Sequence, residues 1–173
     1  MDASPQLFLL AIFPALVIVA AVKDLISFTI PNWISLALVA AYVPAALLAG
    51  LGLPEMGISA AVCVGLLAVG IGMFAMGWIG GGDAKLLAAA GLWLGWGAVL
   101  HFVLFTALAG GALALLLLSA RNTPLVVLTL RGPGWVQRLT EKGGPAPYGV
   151  AICFGALAAF PMSKLVSAAG VGL

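Results

Sequence analysis

Apolar residues run through the chain in six stretches, at roughly 7–23, 33–51, 57–79, 86–95, 98–119 and 148–169, with polar or Gly/Pro breaks between them. A helical crossing of a bilayer takes about 20 such residues, so most of the stretches predict one span each. The run from 86 to 120 is too long for a single span, and Trp96-Gly97 is read as its dividing point. The piece before that point holds about thirteen residues from Asp83, or ~20 Å at 1.5 Å per residue. It is short against ~30 Å of hydrocarbon. Pro14, Pro44 and Pro161 fall within spans and are expected to kink them, the freed carbonyls being satisfied by neighbouring helices. The pattern predicts an all-α membrane protein, a polytopic bundle of about six transmembrane helices. It is read as one domain over 1–173 whose single long loop is 121–146.

Composition sharpens this picture. Of 173 residues, 64% are hydrophobic and 7% charged, where a soluble domain carries about 25% charged residues. Mean hydropathy is +1.26. A soluble enzyme, a nucleic-acid binder and a disordered protein are excluded; the partner implied throughout is the lipid bilayer. Met1-Asp2-Ala3-Ser4 lacks the positive charge of a secretory signal, so the first apolar run is read as a retained span. Cys63 and Cys153 lie in apolar runs with no CxxC, and read as small packing residues rather than metal ligands or a disulfide.

The basic residues set an orientation. With six spans and the N-terminus outside, Lys23, Lys85, Arg121, Arg131, Arg138 and Lys142 gather on the inner face and only Lys164 lies outside. Trp33 and Trp78 then fall near the inner boundary, and Trp93 and Trp96 near the outer one. The loop piece Pro124–Leu130 is apolar but too short to span; with Trp135 it fits an interfacial placement and equally a plain cytosolic loop.

Ionisable residues in a membrane are costly and call for a reason. Asp2 and Glu55 fall in outer loops and Glu141 in the inner loop, where solvation suffices. His101 stands alone and reads as a packing residue. Asp24, at the end of the first span, and Asp83, after Gly80-Gly81-Gly82, remain. By the topology above they reach the same membrane face. Two carboxylates in a partly dry site cannot both ionise cheaply, so one holds a proton while the other can take one from water. The plainer reading makes Asp83 a helix cap and Asp24 with Lys23 an interfacial ion pair. Three successive glycines favour the chemical reading, because they clear side chains from beside the carboxylate and admit another backbone. Lys85 either biases Asp83 or snorkels to the headgroups. Asn32, after Pro31, is read as the cap of the second span. Pro145-Ala146-Pro147-Tyr148-Gly149 is read mainly as a rigid entry to the sixth span.

Asp24 with Ile30-Pro31-Asn32, then Gly80-Gly81-Gly82-Asp83-Ala84-Lys85-Leu86, then Pro147-Tyr148-Gly149, resembles the type IV prepilin peptidase family of GxGD intramembrane aspartic proteases, from the first span to the last. The resemblance implies a membrane-embedded aspartic endopeptidase that removes prepilin leader peptides after a glycine, at the cytoplasmic face of a bacterial inner membrane. It makes Asp24 and Asp83 catalytic, and Gly80, Gly81, Gly82 and Lys85 the loop along which substrate approaches. It implies no metal and no cofactor. Longer members carry an N-terminal cytoplasmic region with paired CxxC motifs and also N-methylate the new pilin terminus. This sequence resembles the short form of tight-adherence (Flp-type) pilus systems, so methyltransferase activity is not expected. Two other readings stand beside it: a GxGD peptidase acting on preflagellins or signal peptides, and a non-enzymatic assembly or transport subunit with a structural aspartate pair. The prepilin cleaved and the oligomeric state are not legible in the sequence.

Overall fold

A computed structural model describes residues 4–122 and 132–170, and every regular element in them is helical. The helices are α1 (Ser4–Ser27), α2 (Asn32–Leu48), α3 (Leu53–Ala75), α4 (Gly81–Arg121), α5 (Gly134–Thr140), α6 (Tyr148–Ala159) and α7 (Lys164–Ala168), with a 3₁₀ turn at Phe160–Met162 between the last two. Among the described residues, four segments are long and apolar enough to cross a bilayer: Phe8–Ser27, Leu53–Ala75, Gly81–Arg121 and Tyr148–Ala168. The shorter apolar α2 lies beside them. Asp2, Arg131 and the apolar piece at 124–130 fall outside the described residues.

The 41-residue α4 is two arms. Gly95 sits inside it at φ +60°, ψ −171°, a backbone state open to glycine and closed to other L-residues. Leu87 of the first arm and Thr106, Ala107 and Gly110 of the second line one cavity, and Arg121 returns to the neighbourhood of Gly80. The chain therefore doubles back at Gly95, one residue before the division read from Trp96-Gly97. The first arm, 81–94, is about 21 Å long. It survives at that length because it is not lipid-facing: from Leu86 to Gly95 every residue is buried. It packs against α3, where Gly70 meets Ala84 and Gly91 meets Leu66. The second arm packs against α6 through Gly110, which faces Tyr148 and Ala151, and through Gly155, which faces Thr106 and the carbonyl of Phe102.

Trp93 lies beside Gly95, Trp96 and Lys164 and turns into the core. It is 1% exposed, its Nε1–H donates to the carbonyl of Leu38 at 2.9 Å, and its ring stacks on Phe13 at 5.3 Å. A tryptophan fits the interior when its N–H finds such a partner. Trp33, Trp78 and Trp96 are exposed, as boundary residues should be.

Candidate active site

Asp24 stands in the last turn of α1. That helix stops because Ile30-Pro31 must run extended; the residue before a proline is kept out of the helical region. The reversal is made by Phe28, held at φ +53° with its N–H on the carbonyl of Asp24 at 2.8 Å. Ile30 and Pro31 then lead into α2 beside the start of α4.

Asp83 is the third residue of α4. Its Oδ2 accepts the N–H of Gly80 at 3.0 Å, an acidic group at a helix N-terminus where the dipole favours it. Asp83 thus does cap its helix, with one oxygen. The other, Oδ1, is buried and finds no hydrogen-bond partner among the described residues. Capping and chemistry are compatible, because they use different oxygens.

The structure brings the two aspartates together. Both are buried, at 5% and 6% exposure, and Asp24 lies close enough to Asp83 to act on it electrostatically. Beside Asp24 stands the N–H of Gly149, at the head of α6, which donates to Asp24 Oδ2 at 2.7 Å. Sequence reading treated Gly149 as part of an entry turn. The available signal was Pro147-Tyr148-Gly149, whose prolyl ring is fully buried.

The glycines divide by role. A Cβ on Gly82 would lie 3.0–3.3 Å from the Cβ, carbonyl oxygen and nitrogen of Ile30, and one on Gly80 would lie 3.0 Å from Asp83 Oδ2. A Cβ on Gly81 would meet only the ring of Phe74, at an ordinary 3.6 Å. So the third glycine is demanded by contact with backbone, the first abuts only the tip of the Asp83 side chain, and the middle one is not crowded. Gly149 is demanded too: its Cβ would sit 2.9 Å from both Asp24 Oδ2 and Ile30 Cδ1. Ile30 is therefore wedged between Gly82, next to Asp83, and Gly149, the donor to Asp24.

Lys85 does not turn to Asp83. Its Nζ donates to Asn32 Oδ1 at 2.8 Å, fastening the first turn of α4 to the first turn of α2. That bond also revises the reading of Asn32: it is the first residue of α2, Pro31 holds the capping position, and no side-chain cap is made. Arg121 closes the same end of the bundle, donating to the carbonyls of Leu139 and Pro145, each at 2.9 Å. Among the described residues no trio of His, Cys, Asp or Glu is grouped to hold a metal ion.

The family model of type IV leader peptidases matches residues 11–115, well over half of the chain and inclusive of Asp24, Gly80–Gly82 and Asp83. Neither the curated proteins nor the solved structures yield a match.

Proposed function

The chain belongs to the type IV leader peptidase family, and from that premise we propose that it is an aspartic endopeptidase that trims type IV, Flp-like prepilins at the cytoplasmic face of a bacterial inner membrane. The observation that carries this reading is a pair of buried carboxylates from distant parts of the chain, each held by a backbone N–H, Asp24 by Gly149 and Asp83 by Gly80.

In this mechanism one aspartate, ionised, takes a proton from a water molecule as its oxygen bonds to the scissile carbonyl carbon. The other, protonated, gives its proton to the carbonyl oxygen. The tetrahedral intermediate then collapses: the C–N bond breaks, the leaving amine receives a proton, and the pair returns to its starting state. The Gly149 N–H holds Asp24 in place, and Gly80 fixes one oxygen of Asp83 while Oδ1 stays open to the reaction. The pair titrates as a unit, so neither carboxylate is assigned the base role here.

The cytoplasmic placement rests on charge. Lys23, Lys85, Arg121, Arg138 and Lys142 belong to the aspartate end of the chain's course, while Lys164 lines a cavity with Gly95 and Trp96 at the opposite end.

Co-expression with a Flp-type prepilin tests the reading, with the pilin N-terminus read by mass spectrometry. The expected product is cut after the leader glycine. A panel of Flp-type prepilins left intact, with preflagellin or signal-peptide substrates cut instead, would move the protein to another substrate class.

A further inference from the structure

Two grooves flank the aspartate pair. One, about 390 Å³, lies beside Lys85 and Asn32 among α2, α3 and the first arm of α4. The other has two parts. An inner cavity of about 350 Å³, lined by Leu87, Thr106, Gly110, Gly111 and Ile152 among others, lies between the arms of α4 and α6. An outer basin of about 520 Å³ holds Gly77, Gly80, Arg121 and Pro145. The two parts share Trp78, Ile79, Ala114 and Tyr148, and so form one channel from the end of the bundle into its side.

What separates the grooves is their relation to the aspartates. The wall of the second groove contains Gly80, whose N–H holds Asp83, and Tyr148, whose neighbour Gly149 holds Asp24. A polypeptide lying there runs along the backbone segments that hold the two carboxylates. The first groove touches neither of these donors; its polar end is occupied by the Lys85–Asn32 bond.

Resting on the peptidase reading above, we propose that the groove between α4 and α6 seats the substrate polypeptide across its scissile bond. Its polar leader lies in the outer basin beside Arg121, and the apolar residues on the other side of the bond enter the inner cavity. The cavity's walls are nearly all apolar side chains, and its volume falls in the range of about 300–1,000 Å³ typical of ligand sites. Thr106, Trp78 and Tyr148 bring the polar side-chain atoms to this wall, and the Thr106 hydroxyl is buried with no hydrogen-bond partner among the described residues.

Gly111 supplies a clean test. It lines the inner cavity, and a Cβ placed there meets nothing within 4 Å. Gly111→Leu therefore leaves the backbone unstrained at its Cβ and projects a side chain from the groove wall. Gly65 on α3 is equally open but lines neither groove, so Gly65→Leu controls for a leucine added to the lipid-facing surface. With a Flp-type prepilin in nanodiscs, Gly111→Leu is expected to raise KM at least about tenfold, the scale of one misfit methylene in an apolar pocket. Gly65→Leu is expected to match the wild type. Equal KM for all three proteins overturns the proposal and leaves the peptidase reading standing; it is also what a groove filled only by lipid would give. A second measurement needs binding and not turnover: p-benzoylphenylalanine in place of Gly111, or of Leu36 beside the other groove, in an Asp83→Asn background. Adducts with the prepilin at position 111 and none at 36 support the proposal. Adducts at 36 alone, or lipid adducts alone at 111, overturn it. Prepilin adducts at 111 from a protein whose wild type never cuts would sink the peptidase reading while keeping the groove as the polypeptide's seat.

Discussion

The backbone N–H of Gly149 donates to Asp24 Oδ2 at 2.7 Å across 125 residues of sequence. This bond ties the end of the first helix to the head of α6 beside Asp83, and most of the expectations below follow from the space around it.

Gly149→Ala should remove activity with a smaller effect on folding. The added Cβ sits 2.9 Å from Asp24 Oδ2, so the carboxylate must move off its donor. Overpacking of this kind costs about 1–3 kcal/mol. The check is the turnover rate beside the thermal midpoint in the same detergent: the rate should fall far more than the midpoint accounts for.

The GxGD glycines should not respond alike. Gly82→Ala drives a methyl into the backbone of Ile30 and should destabilise the protein by about 1–3 kcal/mol and impair cleavage. Gly81→Ala meets only Phe74 at contact distance and should leave both nearly unchanged. Parallel measurements of activity and thermal unfolding for the two variants decide it; equal losses would contradict the contact argument.

Lys85 and Asn32 should act as a pair. Their 2.8 Å bond is exposed, so its worth is modest, about 1 kcal/mol as for a typical net hydrogen bond. Lys85→Met and Asn32→Leu should each lower stability slightly, and the double variant should lose less than the sum. A double-mutant cycle in denaturant reads that coupling, and strict additivity would show the bond to be idle.

Much of this site is legible in the sequence because its side chains are out of place in a membrane. Asp24 and Asp83 stand out as costly groups, the charge bias sets them on one face, and the glycine run announces a close approach. Gly149 is marked only by the motif Pro147-Tyr148-Gly149: it acts through a backbone N–H, and only the docking of α6 onto α1 aims that group. That Trp93 turns into the core is not legible either, for a related reason. In a membrane protein the lipid-facing and core-facing sides are both apolar, so an apolar run does not say which side a tryptophan takes. Asn32 looked like a cap from its position after Pro31, but Lys85, 53 residues on, claims its side chain. The doubling-back of α4 was legible from length, and its site was missed by one residue because Gly95, not Gly97, takes the positive φ.

The rate of cleavage should be bell-shaped in pH. Toward low pH the base aspartate becomes protonated and cannot take the proton from water. Toward high pH the acid aspartate ionises and cannot protonate the carbonyl. A kcat profile in nanodiscs checks this; a rate rising monotonically with pH would argue for a single base working without the second carboxylate.

The central claim is that Asp24 and Asp83 work as one unit, and a catalytic double-mutant cycle tests it most directly. Cleavage rates would be compared for the wild type, Asp24→Asn, Asp83→Asn and the double variant, each shown to be folded in nanodiscs. Asparagine keeps the shape of each side chain and removes its exchangeable proton. The account predicts that each single change lowers the rate by about 10²–10⁴-fold or more and that the double change lowers it no further, as groups acting together do. A single variant that keeps most of the wild-type rate, or losses that multiply in the double, would contradict it.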